Sequence, residues 1–193
     1  HELRADIFVN MNDWTNALSS YQEALKAERA GSTLNLEVQL AKAYAQTGAH
    51  ETAIVMFDDI FQRAELDTIK AQMLLLKGQS LLALERKDEA YAAFMDAVEN
   101  FPQAYDSYTA LVTLVNANVP VNELSRGIVD YYAGEYGAAF AALERYLVSG
   151  TGEANTNAAA LYFRGLCLQA RKEYQAAVKE FDRLIQTYPQ STY

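Results

Sequence analysis

The sequence predicts an all-α solenoid of about five helical hairpins, with one extra helix between the third and fourth. Three observations carry that expectation. A stripe of Ala-x3-Phe-x2-(Ala, Ile or Leu) recurs at Ala53, Phe57 and Ile60, at Ala90, Phe94 and Ala97, and at Ala177, Phe181 and Leu184. Twelve residues before each alanine stands another small residue, Ala41, Gly78 or Gly165, followed three positions later by a large one, Tyr44, Leu81 or Leu168. In the last two copies a proline, Pro102 or Pro189, stands twelve residues after the alanine. Residues three and four apart share a helix face, so each stripe marks one helix. The small residue lets two helices approach closely, the aromatic fills the remaining gap, and the proline cannot continue the helix.

Taken in order, the hairpins fall near residues 1–31, 34–67, 71–104, 120–153 and 158–191. The first is a weaker copy, with Ala17, Tyr21 and Ala24 preceded by Ala5 and Phe8. The second and third carry the full stripe. The fourth has Ala139, Leu143 and Tyr146, preceded by Gly127; Asp130 takes the place of the large residue, with Tyr131 beside it. The fifth again carries the full stripe. An aromatic three residues before the alanine is expected to pack into the turn of each hairpin: Trp14, His50, Tyr136 and Tyr174, with Lys87 departing from the pattern. Gly48 and Gly134 sit two residues earlier, where a helix end favours a left-handed residue. The alanines at 17, 53, 90, 139 and 177 lie 36, 37, 49 and 38 residues apart, against a repeat of about 34 for hairpins of this kind. The excess places slightly long, flexible connections at Gly31-Ser32-Thr33 and Ser149-Gly150-Thr151-Gly152. The 49-residue step instead holds an additional unpaired helix at about 104–118. There Tyr105, Tyr108, Leu111, Val112 and Val115 follow a helical period, and Asn118-Val119-Pro120 ends it. Such a helix would offset a first block of three hairpins from a second block of two.

This register resembles that of the tetratricopeptide repeat family over nearly the whole chain, which implies a right-handed superhelix and a protein-binding role. The stretch from Arg126 to Tyr146, with Ala160-Leu-Tyr-Phe-Arg-Gly165, is similar to the superhelical arm of bacterial soluble lytic transglycosylases. The phrase from Tyr174 to Ser191, ending Tyr-Pro-Gln-Ser, is also similar to envelope-associated repeat proteins. These likenesses imply a bacterial cell envelope and a periplasmic or otherwise extracytoplasmic location, with the cytoplasm left open. They leave two expectations: a non-catalytic scaffold, or the structural arm of a transglycosylase whose catalytic domain lies outside these residues. The closing Pro-Gln-Ser-Thr-Tyr reads as the lead-in to a further helix, so the chain is expected to be part of a longer protein.

Composition narrows the classes. The chain has 193 residues, a net charge of −9, 51% hydrophobic and 21% charged residues, and three prolines. That is apolar enough to build a core. The acidic balance argues against nucleic acid, whose phosphates need clustered Lys and Arg. No apolar run is long enough to span a membrane, and the opening His-Glu-Leu-Arg does not have the pattern of a secretion leader. No catalytic, metal or cofactor site is expected. His1 and His50 are the only histidines and Cys167 the only cysteine. His50 falls in the turn slot and Cys167 beside a helix-contact glycine, where a buried small hydrophobe is the default. Asp58-Asp59 and Glu51 could suggest paired carboxylates for glycoside cleavage, but a solvent-facing helix surface explains them more simply.

The working surface is then expected to be a concave groove lined by first helices of the hairpins. The candidate binding residues are Lys42, Gln79, Ile128, Tyr131, Tyr132, Tyr162, Leu166 and Gln169. Repeats of this family that grip a terminal carboxylate do so with several cationic and amide side chains, and Lys42 alone has the cationic character here. A tyrosine-rich groove suits a protein or peptide partner, or another domain of the same polypeptide. Tyr131-Tyr132 and Tyr162-Phe163 are the candidate stacking platform, with core packing as the alternative for the same rings.

Overall fold

The computed structural model describes residues 1–27 and 33–193, and all of its regular structure is helical. Eleven helices follow one another among these residues: α1 (Glu2–Asn10), α2 (Trp14–Lys26), α3 (Leu34–Gln46), α4 (His50–Arg63), α5 (Asp67–Ala83), α6 (Lys87–Asn100), α7 (Tyr105–Asn116), α8 (Glu123–Tyr132), α9 (Tyr136–Ser149), α10 (Ala154–Ala170) and α11 (Tyr174–Thr187). The chain divides into two compact units, His1–Phe94 and Met95–Tyr193, with the division falling inside α6.

The two stripes read from the sequence are the contact lines of the hairpins. In the first unit Ala5, Ala17, Tyr21, Ala41, Ala53 and Phe57 are all buried, and Tyr21 donates to Asp6 Oδ1 at 2.7 Å. Burial first, and then that bond to Asp6, push the Tyr21 phenol well above its ordinary range. Gly78 of α5 leaves the space into which the Phe94 ring fits. In the second unit a Cβ on Gly127 would lie 2.5 Å from Leu143 Cγ, and one on Gly165 would lie 2.5 Å from Phe181 Cε1. Both distances are far inside van der Waals contact, so these glycines set how closely α8 and α10 approach α9 and α11.

All five hairpin turns close in the same way. The amides of Asp13, Ala49, Arg86, Glu135 and Glu173 donate back to the carbonyls of Phe8, Tyr44, Leu81, Asp130 and Leu168 at 2.8–2.9 Å. This six-to-one bond satisfies a helix-end carbonyl and requires a left-handed residue just before the donor. That residue is Asn12, Gly48, Glu85, Gly134 or Lys172, with φ between 59° and 85°. The acceptor is in every case the residue that the sequence marks as the large site. Asp130 is therefore no misfit in backbone terms, although its side chain is.

The turn aromatics are less uniform than expected. Trp14 and Tyr136 pack against the cores, and Trp14 Nε1 also donates to Asn12 Oδ1 at 2.8 Å. Tyr174 instead stands 59% exposed. The α10 core residues Cys167 and Phe163 are already packed with residues of α8 and α9.

The additional helix, α7, turns a different face inward from the one its period suggests. Tyr105 is 75% and Val112 38% exposed, while Ser107, Ala110, Leu111 and Leu114 are buried. The reason is a polar contact that hydrophobicity cannot reveal. Ser107 Oγ lies 2.9 Å from the Ala97 carbonyl and 2.7 Å from that of Phe101, at the C-terminal end of α6, so the serine faces inward and rotates the helix.

The Ser149–Gly152 connection is likewise more built than expected. Gly150 caps α9 in the left-handed region at φ 65°, Ser149 and Thr151 hydroxyls lie 3.0 Å apart, and Asn157 Nδ2 donates to the Gly152 carbonyl at 2.9 Å. Gly31 and Ser32 of the other expected connection lie outside the described residues.

Candidate functional site

Five of the eight candidate binding residues line two grooves, one in each unit: Lys42 and Gln79 in the first, Ile128, Tyr132 and Tyr162 in the second. In the first unit Lys42 and Gln46 of α3, Leu76 and Gln79 of α5, and His50 at the start of α4 line an open cavity of about 370 Å³. Lys42 supplies its cation, and the His50 Nδ1 atom is buried without a hydrogen-bond partner. Val38 and Leu75, on the same helices, are instead buried in the hairpin cores. This groove is polar and holds no aromatic ring other than the imidazole.

The second unit holds the more distinctive surface. Ile128 and Tyr132 of α8, Tyr162 and Phe163 of α10, and Pro102 and Gln103 before α7 line an open cavity of about 450 Å³. Adjacent residues on a helix point about 100° apart, so Tyr131 and Tyr132 differ in exposure although both rings reach Phe163, at 5.3 and 5.9 Å. Tyr131 turns into the core, its ring 5.3 Å from Phe163 and 5.8 Å from Tyr136. Burial raises its phenol pKa above the ordinary value. Tyr132 turns outward, 43% exposed, with its hydroxyl 3.4 Å from Gln103 Nε2. The Tyr162-Phe163 pair divides in the same manner: Phe163 is buried, and Tyr162 stands edge-on to it at 5.5 Å with its ring at the groove.

An aromatic side chain already lies in this groove. Tyr193, carried back by the turn at Tyr188–Ser191, sets its ring 5.4 Å from Tyr162 and 6.5 Å from Phe163. Centroid spacings of this order are those of favourable aromatic pairs. Sequence reasoning passed over Tyr193 because it lies beyond the last hairpin, and Pro102 and Gln103 because it read the end of the third hairpin only as a stop to the helix. Of the remaining candidates, Leu166 is half-buried against the core of α9 and α10, and Gln169 is exposed further along α10. Neither lines this groove.

The groups that could suggest catalysis are otherwise engaged. Asp58 pairs with Lys77 at 2.6 Å, Asp59 with Arg63 at 2.6 Å, and Glu51 with Arg86 at 3.2 Å. Cys167 is fully buried, and burial pushes its thiol up to about 11, away from the thiolate a nucleophile needs. Among the described residues no group of three or more His, Cys, Asp or Glu side chains is placed to hold a metal ion, and no helix is long and apolar enough to cross a membrane.

Repeated hairpins with glycine-set spacing, identical turn closure and grooves lined by their first helices define a helical-repeat protein of the interaction type. Sequence profiles of the tetratricopeptide repeat match residues 3–64 and 124–192, and a second profile of the same repeat matches residues 71–103. The chain belongs to the tetratricopeptide repeat family. Among solved structures it is similar to the TPR2AB domain of yeast Sti1 in its complex with pHSP90, at 14% identity and a TM-score of 0.48, covering 97% of this chain and 76% of that one. It is also similar to MamA, at 20% identity and a TM-score of 0.41, covering 95% of this chain and 93% of that one. No curated protein matches it.

Proposed function

We propose that this chain is a non-catalytic scaffold that binds a protein partner through the aromatic groove of its second unit. The observation that carries the reading is the placement of Tyr193. A tyrosine ring sits on Tyr162 and Phe163 within a groove that Tyr132 and Ile128 also line, so the groove accommodates an aromatic side chain presented from a turn or an extended segment. The ligand class is a peptide bearing such a side chain, and aromatic anchors in pockets commonly contribute roughly 2 kcal/mol or more each to an interface. The setting we propose, a bacterial cell envelope, rests on the likeness of the Tyr174–Ser191 phrase to envelope-associated repeat proteins. The same phrase supports the second reading, a transglycosylase arm, which the reading frame around this segment tests directly.

The test is selection of peptides from a random displayed library on the wild-type chain, followed by binding to three variants. Tyr132→Ala and Tyr162→Ala are expected to lose the selected peptides by tenfold or more while keeping the melting temperature. Tyr131→Ala is expected to lower the melting temperature. Peptides without aromatic side chains, or binding unchanged in both groove variants, would overturn the proposal.

A further inference from the structure

Apart from the aromatic groove, the second unit contains a cleft lined by two carboxylates and one guanidinium. Tyr108, Leu111, Val112, Val115 and Asn116 of α7 form one wall; Arg126, Asp130, Glu135 and Ala138 form the other. Its volume is about 240 Å³, several times the roughly 30 Å³ that a water occupies in the liquid. Asp130 is 95% removed from solvent, and its Oδ2 atom has no hydrogen-bond partner. Arg126, one turn earlier on α8, comes no nearer than 3.7 Å to that oxygen, which is ion-pair range but beyond a hydrogen bond. A buried carboxylate oxygen left in this state costs free energy, and groups of this kind are normally satisfied.

The composition of the walls indicates what would satisfy it. Two carboxylates, Asp130 and Glu135, face one guanidinium, Arg126, so the cleft carries an unbalanced negative charge. Leu111, Val112 and Val115 offer an apolar strip alongside, and the Tyr108 ring offers a surface for a cation. We propose that this cleft is a second binding site, which takes an aliphatic ammonium group of the kind a lysine side chain carries. The methylene stem lies along the α7 strip, and the ammonium donates to Asp130 Oδ2 between Glu135 and Tyr108. Arg126, on a partly exposed side chain, moves toward solvent as the ligand enters. The site is independent of the aromatic groove, so either can fail without the other.

Burial pushes the Asp130 carboxyl up to about 6, which makes occupancy pH-dependent. The charged and titratable groups facing it are Tyr108 from α7, Glu123 and Arg126 from α8, Glu135 from the turn, Arg145 from α9 and Cys167 from α10. The experiment is a titration of the isotopically labelled whole chain with Nα-acetyl-lysine amide, and with its norleucine counterpart, followed by NMR. The expected result is saturable shifts at Tyr108, Asp130 and Glu135 with the lysine probe only. Affinity should fall at least tenfold in Asp130→Asn, several-fold in Glu135→Gln, and again in the wild type as the pH is lowered from 7.5 to 5. Equal shifts with norleucine, no shifts with either probe, or lysine binding that survives both substitutions and the pH change would overturn the proposal and leave solvent as the occupant. Should Asp130→Asn not fold, Glu135→Gln and the pH series decide.

Discussion

At the scale of the residue, the hairpin turns show which local choices are costly. The left-handed conformation costs an L-residue roughly 1 kcal/mol or more and costs glycine little. Gly48 and Gly134 meet that requirement and were legible in the sequence; Glu85 and Lys172 adopt the same conformation and were not, because nothing in their chemistry marks it. Lys172→Gly and Glu85→Gly are therefore expected to raise stability by about 0.5–1 kcal/mol in urea unfolding. Gly137, in the exposed face of α9 with nothing within 4 Å of an added Cβ, should gain a similar amount as Gly137→Ala. Gly165→Leu has the opposite sign, since the added atoms enter the Phe181 ring, and overpacking of this kind costs roughly 1–3 kcal/mol. Were Gly165→Leu no worse than Gly137→Ala, the glycine contact line would be misassigned. Gly150→Ala is expected to destabilise as well, because a φ of 65° penalises any side chain there although the space is open.

At the scale of the element, the sequence locates helices better than it orients them. The paired stripes of α2, α4, α6, α9 and α11 were legible because each is repeated and each has a partner twelve residues away. Helix α7 has no such partner, so its inward face had to be inferred from hydrophobicity alone, and Ser107 overrides that signal. Its hydroxyl contacts the Ala97 and Phe101 carbonyls, a buried link between the end of α6 and the start of α7. Ser107→Ala removes the hydroxyl without adding atoms to this buried position. It is expected to destabilise by about 0.5–1.5 kcal/mol, the net worth of a typical hydrogen bond, because both carbonyls also accept backbone amides, from Phe101 and Ala104. An Ala variant as stable as the wild type would show that the link contributes nothing net. The same limit on orientation explains the site. That an aromatic platform lies near residues 131–132 and 162–163 could be read from the chain, but which ring of each pair faces out depends on helix phase, and Tyr193 enters only through the fold.

At the scale of the molecule, the many charges respond to pH in two directions. Glu37 is held below the ordinary carboxylate range, first by its hydrogen bond from Arg63. Its contribution is present above that range and lost as pH falls. Asp130 acts in the opposite sense. Its folded value of about 6 exceeds the ordinary 3.8, so between those values the folded chain binds a proton that the unfolded chain has released. Stability from this group therefore falls as pH rises through that window and stays low above it. Asp130→Asn is expected to stabilise the chain by roughly 1–3 kcal/mol at pH 7.5, from the size of the shift, with the gain closing toward pH 4. Urea unfolding of both proteins at the two pH values measures it, and a gain that does not change with pH would assign the effect to shape rather than charge.

The turn closure has a consequence for how such a chain drifts over generations. The bond that shuts each hairpin runs from main chain to main chain, so no particular side chain is needed to make it. Asn, Gly, Glu and Lys all occupy the same corner in one polypeptide. Corners of this kind record ancestry poorly. Kinship between copies of this hairpin is better judged from the contact glycines, where a single added carbon meets a ring or a leucine side chain.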